Sequence, residues 1–444
     1  MLNEKLDKYL DENYYPFHMP GSKRSLNLRN DLPYRRDLTE IDDFDNLNDP
    51  KEIFKDLEDR LAEIYKVNQA VISTNGSTCG ILSSIRALTY KNKNILIQRT
   101  CHKAVYNSIE IFDLDVDYVD VKLNDINAVV DISYKDLEKK FDDKSYAAFV
   151  LTSPSYEGYT LDLNRIYKIC KKNNVPLLLD LAHGSHFILD KSYNRSFDIA
   201  ITSFHKNLSG LTPAAAILIN NEDFNKNIRH NMAIFQSSSP SYVIVESIDE
   251  IVENFDSFGF LYDELNKYLD ELYSLQLENL KLVDSNYKDR TKILISTRDA
   301  NISGRELQNM LKKEKIEIEM AYPNYCLLIS TIFDREIGFN RLKKALVKID
   351  ARLSKKSNDF KFSYKIPKQA IKIGQALLKE KHSVKIEDSL YKISASFVYA
   401  YPPGIPILTP GELIDEEIIE NINYLLKNNI HLNIDRQIDV LIDK

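Results

Sequence analysis

The amino-acid sequence predicts an α/β fold in which a mostly parallel sheet is covered by helices, with a smaller α+β domain after it. Six short apolar runs without polar alternation indicate strands that are buried on both faces: 70–73, 95–98, 147–152, 176–180, 198–203 and 214–220. Amphipathic, helical stretches lie between most of these runs. Such alternation is typical of a parallel sheet with helices on both sides.

The length of 444 residues allows two or three domains. Residues 1–50 are polar and broken by prolines, so we expect an extended N-terminal arm. Residues 51–290 contain the alternating strands and helices and predict the large domain. Residues 291–444 mix helices with strands at 292–297 and 326–331, which predicts the small α+β domain.

Charge and cysteine content narrow the class of protein. The formal net charge is −7 and both signs are spread along the chain, so we expect binding neither to nucleic acid nor to an anionic membrane. The first residues lack the apolar segment of a secretory signal, and no apolar run approaches the roughly 20 residues that span a bilayer. The four cysteines have no CxxC spacing, so we expect no metal site and no disulfides, and a cytoplasmic location fits best.

A turn after the first predicted strand is a candidate phosphate site. Asn75, Gly76, Ser77 and Thr78 stand between this strand and a helical stretch. A helix that begins directly after a strand offers unpaired backbone N–H groups and the positive end of its dipole to an anion. Taken alone, such a turn is more often an ordinary capped helix start.

Two later strands also end in residues that carry chemistry. Asp180 closes the apolar run 176–180, and a buried carboxylate there needs a metal or a protonated ring nitrogen, unless it only caps the next turn. Lys206 follows the run 198–203, and its amine could form an imine if its neighbours lower its pKa. Most lysines in such loops simply lie at the surface. In open α/β sheets, ligands bind at the carboxyl ends of the strands.

The order of these elements predicts a site for pyridoxal 5′-phosphate (PLP). The phosphate needs the helix start at Ser77 and Thr78. The pyridine nitrogen needs a carboxylate such as Asp180 to keep it protonated, and the aldehyde needs an amine such as Lys206. His102, after the second predicted strand, supplies a flat ring that could stack on the cofactor.

The motifs of the chain, in their order, resemble the Orn/Lys/Arg decarboxylase family in its short Gram-positive form. The matching segments extend over nearly the whole chain: 17–24, 37–41, 44–47, 75–77, 101–103, 152–156, 180–184, 203–206, 236–242, 401–406 and 410–412. The resemblance implies the aspartate-aminotransferase-like fold of PLP enzymes, with a mostly parallel, seven-stranded sheet.

The resemblance also implies roles for individual residues. Lys206 would hold the cofactor as a Schiff base, Asp180 would pair with the pyridine nitrogen, and His102 would stack on the ring. The rest of the implied cofactor shell consists of Ser77, Thr78, His183, Ser203 and His205. The family further implies a homodimer in which Ser238 and Ser239 reach the phosphate of the partner subunit.

Some positions depart from the family's pattern. Ser22 stands where the family usually has histidine, and Leu181 and Ser396 stand where it usually has glutamate. Glu157 replaces an aromatic residue, and Phe204 replaces a small residue beside the phosphate. The changes spare the cofactor shell, and the lost carboxylates fall near the substrate end.

The predicted reaction is decarboxylation of arginine, lysine or ornithine to its amine. An anion must then bind the distal cationic group of the substrate. The candidates are Glu40, Asp42, Asp43, Asp45, Glu157 and Glu412. An aminotransferase or lyase on the same cofactor is the alternative, and it would need an arginine such as Arg99 or Arg352 for the α-carboxylate. A non-catalytic descendant is a third possibility, but the presence of Lys206, Asp180 and His102 argues against it.

Overall fold

The structure, a computed structural model, describes residues 1–25, 27–190, 193–356, 366–400 and 405–442. The α-helices of these residues are α1 (Leu2–Asp11), α2 (Ile53–Tyr65), α3 (Gly76–Leu88), α4 (Lys103–Phe112), α5 (Tyr134–Asp143), α6 (Leu163–Lys172), α7 (Phe204–Asn207), α8 (Asn225–Phe235), α9 (Tyr242–Tyr273), α10 (Gly304–Lys313), α11 (Glu336–Asp350), α12 (Ile373–Leu377) and α13 (Glu416–Lys427). Short 3₁₀ helices lie at Ser185–Leu189, Glu222–Phe224 and Ile386–Ser389.

The strands follow the same order along the chain. They are β1 (Gln69–Ser73), β2 (Asn94–Gln98), β3 (Asp115–Val119), β4 (Val121–Leu123), β5 (Val129–Ile132), β6 (Ala148–Thr152), β7 (Leu177–Leu181), β8 (Ile199–Ser203), β9 (Ala215–Ile219), β10 (Lys281–Val283), β11 (Lys292–Ser296), β12 (Met320–Tyr322), β13 (Tyr325–Ile329), β14 (Lys381–Lys385), β15 (Val398–Ala400), β16 (Ile405–Leu408) and β17 (Gln437–Leu441).

The main sheet has seven strands in the order β1-β9-β8-β7-β6-β2-β3. Strand β7 runs parallel to β8, and β2 runs parallel to both β3 and β6. Strand β9 runs antiparallel to β1 and β8. The mostly parallel, seven-stranded sheet is therefore confirmed. All six predicted strands belong to it, and β3 is the strand that the apolar runs did not indicate.

The chain divides into two units, each built from two segments. The first unit contains residues 1–90 and 176–262, with β1, β7, β8 and β9 of the main sheet. The second unit contains residues 91–175 and 263–444, with β2, β3 and β6 and a four-stranded antiparallel sheet in the order β10-β11-β13-β12. The large and small domains expected from the sequence stay a prediction.

In the first unit, helix α3 packs on strands β8 and β9. Gly80 permits the close approach, because a Cβ atom there would lie 3.2 Å from the side chains of both Ile201 and Ile217. All residues of β8 and β9 are buried, as expected of strands covered on both faces. This packing fixes the position of the start of α3 relative to the strand ends.

The first eleven residues differ from the expected extended arm, because they form helix α1. Leu2 and Leu6 lie one turn apart on the same helix face and are fully buried. The backbone N–H of Asn3 donates to Asp249 Oδ2 at 2.9 Å, which ties the helix to its own unit. After the helix, large apolar side chains are exposed at Tyr14, Tyr15, Phe17 and Met19.

The second unit contains several apolar clusters. One surrounds helix α13 and strands β15, β16 and β17, with Ile418, Ile422 and Val440 among its buried members. Within the described parts of the chain, no helix combines the length and the apolar character that crossing a bilayer requires. The first four residues of the matching segment 401–406 lie outside the described residues.

Candidate active site

The strand ends of the first unit that carry the predicted site lie at one edge of the sheet. Ser73 at the end of β1 and Ser203 at the end of β8 both pair with Ala215 of β9. Leu181 of β7 pairs with Thr202 of β8. Because neighbouring strands lie about 4.8 Å apart, the ends of β1, β7 and β8 lie within roughly 15 Å of one another. The sheet therefore brings the predicted phosphate site, acid and lysine together.

The turn between β1 and α3 can accept an anion. Gly76 has a φ of +77°, and a Cβ atom there would lie 3.2 Å from Cβ of Pro213. Asn75 makes no side-chain capping bond, so it leaves the N–H groups of the first helical turn available to a ligand. Ser77 is half-buried and Thr78 is exposed, which keeps both residues accessible at this helix start.

Asp180 lies near the end of β7 and is only 4% exposed. Its Oδ1 accepts a hydrogen bond from the backbone N–H of Ala182 at 3.1 Å. A carboxylate has lone pairs for further donors, so Asp180 can also bind a protonated ring nitrogen. The next residue, Leu181, is buried in place of the family's glutamate, and a Cβ atom on Gly184 would lie 2.6 Å from its Cδ1.

Lys206 lies in helix α7, directly after β8, and is half-buried. Its Nζ is 3.0 Å from Nε2 of His183, which comes from the turn after β7. His205 also belongs to α7, and its Nδ1 lies 3.1 Å from the carbonyl oxygen of Ala214. Burial lowers the pKa of His205, and the charge of Lys206 lowers it further. The hydrogen bond to Ala214 raises the pKa but does not offset this decrease. The neutral form of this imidazole is therefore favoured.

Several buried polar atoms surround α7. Among the residues that the structure describes, the hydroxyls of Thr202 and Ser203 and both amide atoms of Asn207 are buried without a hydrogen-bond partner. Buried polar groups are almost always bonded in folded proteins, so these atoms are available to a ligand or to water. The sequence had indicated Ser203 but neither Thr202 nor Asn207, since a lone hydroxyl in a strand or an amide after a lysine carries no signal by itself.

His102 lies in the second unit, where it caps helix α4. Its Nδ1 accepts a hydrogen bond from the backbone N–H of Ala104 at 3.2 Å. In the neutral ring the proton is then on Nε2. The hydrogen bond orients the imidazole, and the ring is half-buried. Stacking of His102 on the cofactor stays a prediction.

Arg99, a candidate only for the aminotransferase or lyase alternative, and Glu412, a candidate for the distal group, form an ion pair with each other. Both oxygens of Glu412 lie 3.0 Å from nitrogens of the Arg99 guanidinium, and the side chains of Arg99 and Glu412 are 3% and 0% exposed. Burial opposes the charge of Arg99, but the carboxylate outweighs this effect and raises the pKa of the guanidinium. Because each group already has a charged partner, the pairing does not support Arg99 as a ligand of an α-carboxylate or Glu412 as a ligand of a distal cation.

Asp45 is engaged in a similar way. Its carboxylate accepts three backbone N–H groups at the start of α2, at 2.9 to 3.1 Å, from Lys51, Glu52 and Phe54. This bonding accounts for its burial without a substrate. Asp42 and Asp43 are exposed. Glu40 has a buried Oε1 without a hydrogen-bond partner among the described residues. This oxygen could therefore accept a hydrogen bond from the distal cationic group of a substrate.

Glu157 is buried within the second unit. It accepts hydrogen bonds from the hydroxyls of Tyr325 at 2.9 Å and Ser155 at 3.1 Å, and burial raises the pKa of its carboxyl. This bonding accounts for its burial too, so the structure does not support Glu157 in recognition of the distal group. Of the other departures, Ser22 and Ser396 each have a buried hydroxyl without a partner in the described parts of the chain.

Ser238 and Ser239 are exposed in the turn that follows α8. Two residues before them, Gln236 accepts the backbone N–H of Thr74 at 2.9 Å through its Oε1. This bond holds the turn beside Thr74, next to the predicted phosphate site of the same chain. Contact of Ser238 and Ser239 with a partner subunit stays a prediction.

Family models match two parts of the chain, an Orn/Lys/Arg decarboxylase major domain over residues 2–257 and the C-terminal domain of the same family over 357–432. An arginine decarboxylase of Halalkalibacterium halodurans is 28% identical to this chain, and the alignment covers 93% of this chain and 90% of that protein. An arginine decarboxylase of Bacillus subtilis is 26% identical, and the alignment covers 95% of this chain and 92% of that protein. The solved lysine decarboxylase of Francisella novicida has a TM-score of 0.81 at 19% identity, and the match covers 100% of this chain and 81% of that chain. The solved lysine decarboxylase of E. coli has a TM-score of 0.84 at 16% identity, and the match covers 99% of this chain and 82% of that chain.

The solved structures confirm the predicted fold class, because the likeness extends over the whole chain. The family match confirms the predicted enzyme class of amino-acid decarboxylase. On these findings, the chain belongs to the Orn/Lys/Arg decarboxylase family.

Proposed function

We propose that this protein is a PLP-dependent decarboxylase that converts a basic amino acid, first of all arginine, to the corresponding amine. One observation carries the proposal: the Lys206 amine lies beside His183, at the sheet edge that also carries Asp180 and the open helix start at Gly76. The curated relatives named arginine decarboxylases are aligned over nearly their whole length, which supports arginine as the first substrate to test.

The residues of the first unit fit PLP. When bound, this cofactor supplies a protonated ring that accepts the electron pair of the broken carbon–carbon bond. Lys206 would hold the aldehyde carbon, and Asp180 would keep the ring nitrogen protonated. The first turn of α3, with Ser77 and Thr78, would bind the phosphate. The buried, unpartnered hydroxyl of Ser203 is a further donor at the same sheet edge.

The surroundings of the arginines favour decarboxylation over transamination. An enzyme that retains the α-carboxylate usually binds it through an arginine, whereas a decarboxylase gains by leaving that group poorly stabilised. Arg99 is held by Glu412 in a buried pair, and Arg352 is exposed after helix α11. Neither arginine therefore supports the aminotransferase alternative. Glu40, with its buried acceptor, is the first candidate for the distal cationic group.

The test is release of carbon dioxide from arginine, lysine and ornithine, with Lys206→Ala as the matched control. The purified protein should be yellow, and Lys206→Ala should lose both the colour and the activity while keeping its circular dichroism spectrum. Reduction with borohydride and peptide mapping should then place a pyridoxyl group on Lys206. A label on another lysine, or no release of carbon dioxide from any basic amino acid, would contradict the proposal.

We also propose that the working unit is a homodimer in the cytoplasm. The exposed apolar side chains after α1, including Tyr15 and Phe17, favour contact with a second copy. The exposed hydroxyls of Ser238 and Ser239 are available to a partner. All four cysteines are buried thiols, which fits a reducing compartment. Sedimentation of the purified protein tests the dimer.

A further inference from the structure

The contact between Lys206 and His183 joins two groups that can exchange a proton. The Nζ and Nε2 atoms are 3.0 Å apart, although the residues are 23 positions apart in the chain. An ammonium group has donors only, so when Lys206 is charged Nε2 of a neutral His183 is the acceptor and the ring proton lies on Nδ1. Both side chains are half-buried, so the proton can pass directly between them rather than through bulk water.

We infer that His183 is the proton acceptor for the Lys206 amine, a catalytic role that rests on the proposed function of Lys206. In this step one N–H bond of the Lys206 ammonium breaks and an N–H bond forms at Nε2 of His183. The products are a neutral amine with a free electron pair and an imidazolium. The step needs no other reactant and is reversed when the lysine is released. Only the neutral amine can condense with an aldehyde.

The turn that carries His183 leaves little free space beside it. The turn after β7 is tightly packed, since a Cβ atom on Gly184 would lie 2.6 Å from Leu181 and 3.0 Å from Phe187. Other titratable groups on the elements around the pair include Asp180, His186, His205 and Tyr65, whose ring packs against Phe204 of α7. Because burial lowers the pKa of His205, that ring does not compete as a second imidazolium beside Lys206.

The experiment measures how fast the full chain, freed of cofactor, combines with added PLP, followed by the absorbance of the lysine-bound form. General-base catalysis contributes about 10²- to 10⁴-fold, so His183→Ala should combine at least about 100-fold more slowly than the native chain. His183→Gln can keep a hydrogen bond but cannot take the proton, so it should also be slow. His230→Ala, an exposed histidine of the same unit, is the matched control and should react at the native rate.

Rescue separates a proton acceptor from a structural residue. Added imidazole should restore the rate of His183→Ala, because it can occupy the vacated space and accept the proton. Pyrazole, which has the same shape and is a much weaker base, should not. Equal rescue by the two compounds, or a native rate in His183→Ala, would overturn the inference. If His183→Ala fails to fold, a native rate in His183→Gln would overturn it equally. Absence of a pyridoxyl label on Lys206 in the native chain would instead reject the proposed function.

Discussion

Asp180 is buried at a sheet edge, where a carboxylate is costly unless a cation or a good donor pairs with it. The N–H of Ala182 provides one hydrogen bond. In the proposed enzyme, the protonated ring nitrogen of PLP is the stronger partner, since hydrogen bonds between charged groups are about twice as strong as neutral ones. The carboxylate and the ring nitrogen would then each stabilise the charge of the other.

Replacement of Asp180 should therefore affect turnover more than loss of any single phosphate ligand. A nearby opposite charge shifts a pKa by about 1–3 units, so without the carboxylate the ring nitrogen is protonated far less and Asp180→Ala should lower kcat by roughly a hundredfold. Asp180→Glu keeps the charge and should lose less. Ser203→Ala removes one hydroxyl and should mainly weaken PLP binding. Steady-state kinetics at saturating PLP give the comparison, and near-native turnover in Asp180→Ala would show that this role is misassigned.

The start of helix α3 depends on the backbone conformation of one residue, Gly76. Gly76 has a φ of +77°, which alanine adopts only at a cost of about 1–2 kcal/mol. A Cβ atom would also press on Pro213 at 3.2 Å. The helix would relieve this strain by shifting its first turn, the turn that we propose for the phosphate.

Gly76→Ala should therefore weaken PLP binding about tenfold while the helix itself persists. Gly259→Ala is the matched control, because this glycine lies within α9 and a Cβ atom there meets nothing within 4 Å. That change should raise stability by about 0.5–1 kcal/mol without altering PLP affinity. Titration with PLP, followed by absorbance, measures both. Equal affinity in the two variants would show that the start of α3 does not bind the phosphate.

The buried pair of Arg99 and Glu412 joins the segment after β2 to the turn after β16. The backbone N–H of Thr409 also donates to Glu412 at 2.7 Å, and Tyr106 donates to the carbonyl oxygen of Arg99 at 2.6 Å. The ion pair thus connects two chain segments that are 313 positions apart. Its loss should loosen the segment that leads to His102.

Removal of one partner should cost more than removal of both. Glu412→Gln leaves the Arg99 guanidinium buried without its counter-charge, which costs about 3–5 kcal/mol. The double variant Arg99→Met, Glu412→Leu leaves no buried charge and should recover part of that loss. The apparent thermal midpoints of the native chain and the two variants give the order. A double variant less stable than Glu412→Gln would contradict the account of the pair as a charge-balanced unit.

The sequence predicted those features of the fold that depend on residues adjacent in the chain. Continuous apolar runs identified six strands of the main sheet. Strand β3 was missed because polar residues interrupt it: Asp117 faces Lys144 at 2.9 Å and Tyr146 at 3.1 Å. This strand is the last in the sheet, and charged side chains are common on edge strands.

The residues of the candidate site also differ in whether the local sequence could predict them. The helix start at Gly76, the acid at Asp180 and the lysine at Lys206 follow strands directly, so their placement at one sheet edge followed from a parallel fold. The pairing of Arg99 with Glu412 depends on packing between segments that are distant in the sequence, so no local sequence pattern predicts it. Helix α1 is a different case, because Leu2, Leu6 and Leu10 recur at helical spacing and this local pattern was not used.

The proposed active site could be completed within one subunit or across two. The bond between Gln236 and Thr74 places the turn with Ser238 and Ser239 beside the proposed phosphate site of its own chain. The serines themselves are exposed. A two-fold dimer buries the same surface on both subunits. Both turns would therefore contact the site of their own subunit, or both would contact the site of the partner subunit. The two arrangements predict different behaviour when defective subunits are mixed.

In a composite site, Lys206 of one subunit works with Ser238 and Ser239 of the other. A Lys206→Ala subunit and a Ser238→Tyr, Ser239→Tyr subunit are each inactive alone, but their mixed dimer contains one site with a native lysine and native serines. Random exchange gives mixed dimers in about half of the molecules, so about a quarter of native activity should return, as expected for a two-fold dimer. Exchange is verified by mass spectrometry of differently tagged subunits. If exchange is complete and no activity returns, the serines serve their own subunit and the composite site is wrong.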